Sequence, residues 1–153
     1  MKSSLLYKTP AGFDDLLLCA EGELLTRVQF IHSDSHQVES CNSAVLQDTC
    51  RWLDIYFNGG VPDFLPSLNM QGTAFQNKVW NLLLSIPYAH TVSYGYIAKQ
   101  IGCRSSQAVG RAVGSNPIMI LVPCHRVIHS DGSIWGYAGG IKNKQRLLKL
   151  ENQ

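Results

Sequence analysis

Residues 123–127 read Pro-Cys-His-Arg-Val and place a thiol next to an imidazole. A thiolate is a strong nucleophile, and a neighbouring histidine is a suitable base to generate it. The preceding run, residues 118–122, is apolar and is predicted to be buried, with Pro123 interrupting strand pairing and presenting Cys124 at its end. A lone cysteine of this kind is usually a structural core residue. The cationic dipeptide that follows favours a reactive cysteine, because such groups are costly to bury without a purpose.

The composition indicates an ordinary globular protein. The chain has 153 residues, of which 45% are hydrophobic and 16% charged, as expected for one domain or two small ones sharing a core. It shows no secretory pattern and no apolar run of the roughly 18 residues that span a membrane, so we expect no membrane association. We expect a monomer.

The five cysteines do not follow the spacing of a disulfide framework or a zinc ribbon. Reduced thiols and a cytoplasmic location are therefore expected. His32 and His36 lie near Cys19 and Cys41 in the sequence, which would allow a metal site. Their irregular spacing favours incidental surface residues, so neither a cofactor nor a structural zinc is predicted.

The charge is divided unevenly along the chain. Residues 1–70 carry 4 Lys and Arg against 9 Asp and Glu, whereas residues 71–153 carry 9 against 2. The balances of −5 and +7 predict that one face of the second half binds a polyanion, most commonly nucleic acid. A solvated basic face without a partner is the alternative that charge alone leaves open.

The first half is predicted to form strands followed by a helix. Residues 16–20 and 24–31 form a hairpin, and residues 43–57 carry an apolar stripe at helical spacing. The segment 58–72, rich in glycine and proline, is predicted to be a linker between domains at 1–66 and 71–153.

The second half is predicted to be helical. Thr73 and Gln76 form a capping box, Ser93 caps a helix that ends at Gly102, and Ser105 or Ser106 caps the next. Two short helices joined by a tight turn in a basic segment indicate a helix-turn-helix. The second of them is rich in small residues, which suits close backbone approach better than reading base edges in the major groove. A glycine-rich loop at 136–140 then precedes a cationic final helix.

Several blocks together resemble the O6-alkylguanine-DNA alkyltransferases. They are residues 123–127, Ser-Asn-Pro at 115–117, Gly-Tyr-Ala-Gly-Gly at 136–140 and the final helix to Glu151. Residues 71–76 and 86–95 also look like this family, so the likeness is strong over 70–151 and weak over 1–66. It implies an α+β fold: an N-terminal antiparallel sheet with a helix, ribonuclease-H-like, and a helical C-terminal domain with a winged helix-turn-helix.

The resemblance also implies DNA repair by a suicide enzyme. The family binds duplex DNA from the minor groove, rotates the damaged base out, and moves the alkyl group from guanine O6, possibly also thymine O4, irreversibly onto the cysteine. The implied catalytic residues are Cys124, His125, Glu151, Tyr94 and Asn116. The implied substrate-binding residues are Val127, Met119, Trp135, Tyr137, Ala138 and Lys144. The implied DNA-binding residues are Ser105, Ser106, Gln107, Ala108, Gly110 and Arg111.

The roles follow the family's chemistry. His125 takes the thiol proton through a water, Glu151 orients the imidazole, Tyr94 donates a proton to the leaving guanine, and Asn116 holds the turn. From the residues alone, Tyr94 could be a packed helix-start residue, Glu151 a solvated surface group and Asn116 a turn signal only.

Two positions depart from the family's pattern. Gln107 stands where an arginine usually fills the space of the rotated base, and Ala138 stands where a serine is common. We hypothesise that Gln107 fills that space with weaker affinity, helped by Arg111 one turn later, and that a backbone amide serves at 138.

Three other functions fit parts of this sequence. Alkyltransferase-like proteins bind damaged DNA without accepting the alkyl group, but they replace the cysteine, whereas Cys124 is present here. A transcription regulator would need base-reading side chains on the second helix. A cysteine hydrolase would need a distal His/Asn pattern, which does not stand out.

Overall fold

A three-stranded antiparallel sheet opens the chain. The computed structural model describes residues 2–31, 43–134 and 136–152. The strands β1 (Lys2–Tyr7), β2 (Asp15–Glu21) and β3 (Leu24–Ile31) lie in the order β1-β2-β3. The β2–β3 hairpin confirms the prediction, but β1 was missed. Its sequence lacks a clear apolar alternation, and pairing with β2, for example Leu5 opposite Leu18, accounts for its extended form.

The helix α1 (Ala44–Phe57) packs its apolar face against this sheet. Ser43 caps it by accepting a hydrogen bond from the amide of Leu46, within the range predicted to be helical. The face consists of buried residues at three- and four-residue spacing: Val45, Leu46, Thr49, Trp52, Leu53 and Tyr56. The helix ends at Phe57 and Asn58 is its C-terminal cap. The next residue, Gly59, adopts a φ of 86°.

The segment predicted to be a linker is bound to the sheet. The Leu25 amide donates to Ser67 O at 2.8 Å, and the Asn69 amide donates to Leu25 O at 2.9 Å. The segment therefore crosses from the first half to the second along β3.

The helix α2 (Ala74–Leu83) begins with the predicted capping box of Thr73 and Gln76. Trp80 on this helix is buried, and its indole Nε1 donates to Ala112 O at 2.8 Å. Gly72 lies directly under the indole, since an added Cβ would meet a ring carbon at 2.5 Å. The bond to Ala112 fixes α2 relative to the helix that contains Ala112, and the contact with Gly72 fixes the segment before α2 against the indole.

Two short helices follow. The strand β4 (Val92–Ser93) leads into α3 (Tyr94–Ile101), which ends at Gly102 with a φ of 71°. The helix α4 (Ser106–Gly114) starts after the turn, and Ser105, one of the two predicted candidates, is its cap. Both helices pack against each other and against α2.

The remaining elements complete one core. Strand β5 (Val127–Ile128) pairs in parallel with β4, and α5 (Ile141–Glu151) is the predicted final helix. Buried side chains from the sheet and from the second half form a single hydrophobic cluster. The coarse α+β expectation is confirmed as a mixed fold with a three-stranded antiparallel sheet and five α-helices over the described residues. Within the same residues, no helix is long and apolar enough to cross a membrane.

The packing of Gly72 can be tested by adding one methyl group. Gly72→Ala is expected to lower the free energy of unfolding by about 1–3 kcal/mol, because the new Cβ overlaps the Trp80 ring. Gly114→Ala is the control: it meets nothing within 4 Å and replaces a glycine within a helix, so stability should stay equal or rise by up to about 1 kcal/mol. Urea denaturation measures both, and equal stability of the two variants would contradict this packing.

Candidate active site

Asn116 shapes the loop that carries the cysteine. Its buried side chain donates from Nδ2 to Val122 O at 2.7 Å and accepts the Ile118 amide at Oδ1 at 3.0 Å. The run 118–122 is buried, as predicted, but it is an irregular loop with Ile120 at a φ of 72°. A β-branched residue rarely adopts this conformation, so the surrounding bonds must hold it.

Cys124 is the first residue of a 3-10 turn, Cys124–Arg126, and is 3% exposed. Its Sγ lies 3.8 Å from the Tyr137 hydroxyl. Burial raises the pKa of the thiol, and the hydrogen bonds of Asn116 and Tyr137 and the charge of Lys144 oppose this without reversing it. The resting group is a thiol, so nucleophilic attack requires a base.

His125, the next residue in the chain, is the candidate for that base. The imidazole is fully buried, with Nε2 2.5 Å from Glu151 Oε2. Burial lowers the pKa of His125 despite the adjacent carboxylate, so the ring is neutral at neutral pH. Assigned from this network, the proton is on Nε2, and Nδ1 is a buried acceptor without a hydrogen-bond partner among the described residues.

Glu151 is buried among hydrogen-bond donors. Arg126 donates from Nε to Oε1 at 2.8 Å and from Nη2 to Oε2 at 3.1 Å, and the Ala89 amide donates to Oε1 at 3.2 Å. The Tyr56 hydroxyl donates to Oε2 at 2.6 Å. Burial opposes ionisation, but the bonds from His125, Arg126 and Tyr56 outweigh it and hold the pKa of Glu151 far below its usual range.

Lys144 connects α5 to Val127, which follows the 3-10 turn that contains Cys124. Its buried amine donates to Val127 O at 2.6 Å and lies 5.5 Å from the centre of the Tyr137 ring. Burial lowers the pKa of Lys144 to about 8, although the nearby Cys124 favours its charged form. Both residues are predicted to bind substrate, and the Lys144 side chain contacts the backbone carbonyl of Val127.

Two cavities with shared lining residues lie near the thiol. The inner one has a volume of about 20 Å³, and its lining includes Tyr94, Met119, Cys124, Tyr137 and Ala138. The outer one has a volume of about 560 Å³, and its lining includes Ser106, Gln107, Gly110, Arg111 and His129. Tyr94, Gly110 and Gly136 line both, so the outer chamber adjoins the cavity that Cys124 lines.

The first turns of α4 form one wall of the outer chamber. Ser105 accepts the amide of Ala108 at 3.1 Å, whereas Ser106, Gln107 and Arg111 are exposed. Unpaired amides at a helix start favour anions, and Arg111 adds a positive charge on the same surface. The predicted DNA-binding residues are therefore brought together on one helix.

Tyr94 begins α3 and is half-buried between the two cavities. Burial, and then the nearby Cys124, raise the pKa of Tyr94, so its hydroxyl stays protonated and can donate. The His129 ring centre lies 4.9 Å from the ring centre of Tyr94. The parallel register that pairs Ser93 with Ile128 accounts for this, because it brings the two following residues side by side.

Sequence reasoning missed two residues of this site, His129 and Tyr56. His129 follows β5, and only the pairing of β4 with β5 shows its proximity to Tyr94. Tyr56 was placed in the apolar stripe of α1, and the single signal was a hydroxyl in an otherwise hydrophobic face.

Four residues named above lie outside the described residues: His32, His36, Cys41 and Trp135. The predicted role of Trp135 in the alkyl pocket therefore stays a prediction. Within 2–31, 43–134 and 136–152, no group of three or more His, Cys, Asp or Glu side chains is arranged to hold a metal ion.

The chain is similar to known proteins over nearly its whole length. Residues 74–153 match the family model described as 6-O-methylguanine DNA methyltransferase, DNA binding domain. The methylated-DNA–protein-cysteine methyltransferase of Mycolicibacterium paratuberculosis is 50% identical, over 96% of this chain and 92% of that protein. The protein of the same name from Methanosarcina acetivorans is 42% identical, over 95% and 96% of the two chains.

A solved structure agrees with the sequence relatives. The crystal structure of Mycobacterium tuberculosis OGT in complex with DNA is 39% identical and superposes with a TM-score of 0.84, covering 98% of this chain and 91% of that one. With a family model that matches more than half of its residues and relatives of this identity, the chain belongs to the methylated-DNA–protein-cysteine methyltransferase family.

Proposed function

We propose that this protein repairs DNA by transferring the alkyl group of O6-alkylguanine to Cys124 in a single irreversible turnover. One observation carries the proposal: Cys124 lines a small cavity that adjoins a chamber walled by α4, and the next residue, His125, is bonded to Glu151. The M. tuberculosis relative was solved with DNA, which supports DNA as the partner. O4-alkylthymine is a second substrate of the same chemistry.

The finer organisation follows from the same assignment. The helices α3 and α4 with the turn at 102–105 form a winged helix-turn-helix, and the sheet with α1 is a ribonuclease-H-like unit. Residues 1–66 are an N-terminal domain, and residues 71–153 carry DNA binding and alkyl transfer. The protein works as a cytoplasmic monomer without cofactor or structural zinc.

Base rotation is required because an alkyl group on a stacked guanine is out of reach of a buried thiol. The protein approaches the minor groove, where Gly110 and the neighbouring small residues of α4 permit close contact. The rotated base occupies the outer chamber, and its alkyl group enters the inner cavity beside Cys124 and Met119.

The proton path uses three groups. His125 Nδ1 accepts the Cys124 proton through a water, while the ionised Glu151 stabilises the imidazolium that forms. The thiolate forms a bond to the alkyl carbon, the bond from that carbon to O6 breaks, and its electron pair leaves with the guanine. Tyr94 donates a proton to the guanine anion, and the proton that His125 took from Cys124 passes through water to the Tyr94 phenolate, so no proton is gained or lost overall. A thioether has no comparable leaving group, so the reaction ends after one turnover.

Transfer can be tested with a duplex that carries a tritiated methyl group at guanine O6. We expect one label per wild-type molecule and none on Cys124→Ser, because serine offers a much weaker nucleophile. Cys50→Ser, a change at a partly buried cysteine of α1 that lines neither cavity, is the control and should label like wild type. Tight binding of the duplex without any label would instead indicate an alkyltransferase-like damage-binding protein.

The role of Gln107 predicts a measurable effect on DNA binding. Gln107→Ala should weaken binding of alkylated duplex several-fold, which corresponds to the loss of about one hydrogen bond. Gln107→Arg should strengthen binding and steepen its salt dependence, because one more positive charge meets the DNA.

The matched control is Gln100→Ala, an exposed glutamine of α3 that does not line the chamber. Fluorescence anisotropy at two salt concentrations measures all variants. Wild-type affinity and wild-type transfer rate in Gln107→Ala would refute the role.

The size of the inner cavity predicts a preference for small alkyl groups. About 20 Å³ is close to the space of one water, so methyl should be transferred at least about tenfold faster than benzyl. Met119→Ala enlarges this cavity and should raise the benzyl-to-methyl ratio of transfer rates. The ratio is taken within one protein, so a loss of stability cancels.

Met70→Ala, a partly buried methionine that does not line the cavity, is the control. An unchanged ratio in Met119→Ala would show that another feature limits substrate size.

A further inference from the structure

Tyr56 extends from α1 into the cluster around Glu151. The residue is 0% exposed, and its hydroxyl lies 2.6 Å from Glu151 Oε2 and 3.5 Å from His125 Nε2. Through this hydroxyl, the first half of the chain contacts Glu151 and His125, two residues of the proposed proton path.

The ring of Tyr56 is held by packing that does not involve the hydroxyl. It stacks on Trp52 with the ring centres 5.4 Å apart and the planes at 11°, and it meets Phe57 and Tyr88 edge-on. A phenylalanine would therefore occupy the same place. The hydroxyl is a polar group in a buried position, and its bond to the carboxylate compensates for the loss of water.

This hydroxyl competes with His125 for the same oxygen. Glu151 Oε2 accepts from Tyr56, His125 and Arg126, so its negative charge is shared among three donors. A carboxylate that is already well solvated by donors stabilises a neighbouring imidazolium less strongly. Burial, and then Glu151, raise the pKa of Tyr56 well above its usual value, so the hydroxyl remains a donor.

Other charged and titratable groups also face the imidazole. They are Arg126 of the 3-10 turn and Lys144 and Glu151 of α5, whose charges act on His125, and Tyr56 of α1, whose ring meets the imidazole edge-on. Arg126 and Lys144 disfavour the imidazolium, and Glu151 favours it. Of these, Tyr56 can lose its polar group without changing the net charge or the bonds of Arg126.

We propose that Tyr56 is a positioning residue for alkyl transfer, whose hydroxyl tunes the proton affinity of His125 by sharing Glu151 Oε2. This deepens the proposed function and rests on it for the transfer measurement. The effect on His125 itself is a property of the folded protein and can be measured without any substrate.

The test is Tyr56→Phe in the full chain. Without the hydroxyl, Oε2 is more available to His125, so the pKa of His125 should rise by on the order of one unit. Because neutral His125 is the active form, the acid limb of the single-turnover transfer rate should move to higher pH by the same amount. At a pH on that limb the rate should fall by up to about tenfold, and the plateau at higher pH should remain.

Tyr7→Phe is the matched control. Tyr7 also donates to a carboxylate of α1, Asp54 Oδ1, at 2.6 Å, but on the exposed side of the helix. It should leave the pH profile unchanged, so a general effect of losing a tyrosine–carboxylate bond is separated from an effect on His125.

Nuclear magnetic resonance of ¹⁵N-labelled histidine gives the second measurement. The His125 titration should move upward in Tyr56→Phe and stay in place in Tyr7→Phe. If Tyr56→Phe does not fold, the ¹³Cζ shift of Tyr56 in the unaltered protein should follow the His125 titration.

An unchanged or downward-shifted His125 titration would overturn the proposal, as would a Tyr56 signal that ignores that titration. If none of the proteins accepts label from alkylated DNA while the His125 titration moves as expected, the proposed function fails and the role of Tyr56 in setting the proton affinity stands.

Discussion

The ionised carboxylate of Glu151, buried in the protein, is the interaction on which the site depends. It is 3% exposed, and five hydrogen bonds reach it from α1, the loop before β4 and the 3-10 turn. A buried charge of this kind is stable only when its partners are all in place. Its position therefore fixes four parts of the chain relative to one another, and the two halves of the molecule meet at it.

The nucleophile follows a different physical rule. Cys124 is kept as a thiol by burial, although Lys144 and two hydrogen bonds partly favour the thiolate. A permanently ionised thiolate would be exposed to oxidation and other electrophiles. In the proposed mechanism, neutral His125 takes the thiol proton through a water, so the thiolate becomes available when the damaged guanine occupies the outer chamber. Stability of the resting protein and reactivity toward the lesion are thus separated.

Local signals in the sequence predicted much of this fold. The capping residues Thr73 and Ser93 marked helix starts correctly, because a cap depends on residues within one turn. The strand β1 and the role of Tyr56 were missed, since both depend on partners far along the chain. The grouping of Cys124 with the other family positions came from the resemblance, and spacing alone would have left Glu151 among ordinary surface residues.

Glu151 is also the last residue of α5, and this position has a kinetic consequence. Helix ends are where local opening is easiest, and the free energy of such opening is often a small fraction of the global value. Here the terminal turn is held by the same carboxylate that accepts the hydrogen bond of His125, the proposed base. The rate of amide hydrogen exchange in that turn and the ability to transfer the alkyl group should therefore both depend on the same local opening equilibrium. A substitution that destabilises the end of α5 would therefore lower the reactivity of the Cys124 thiol without changing Cys124 or the outer chamber.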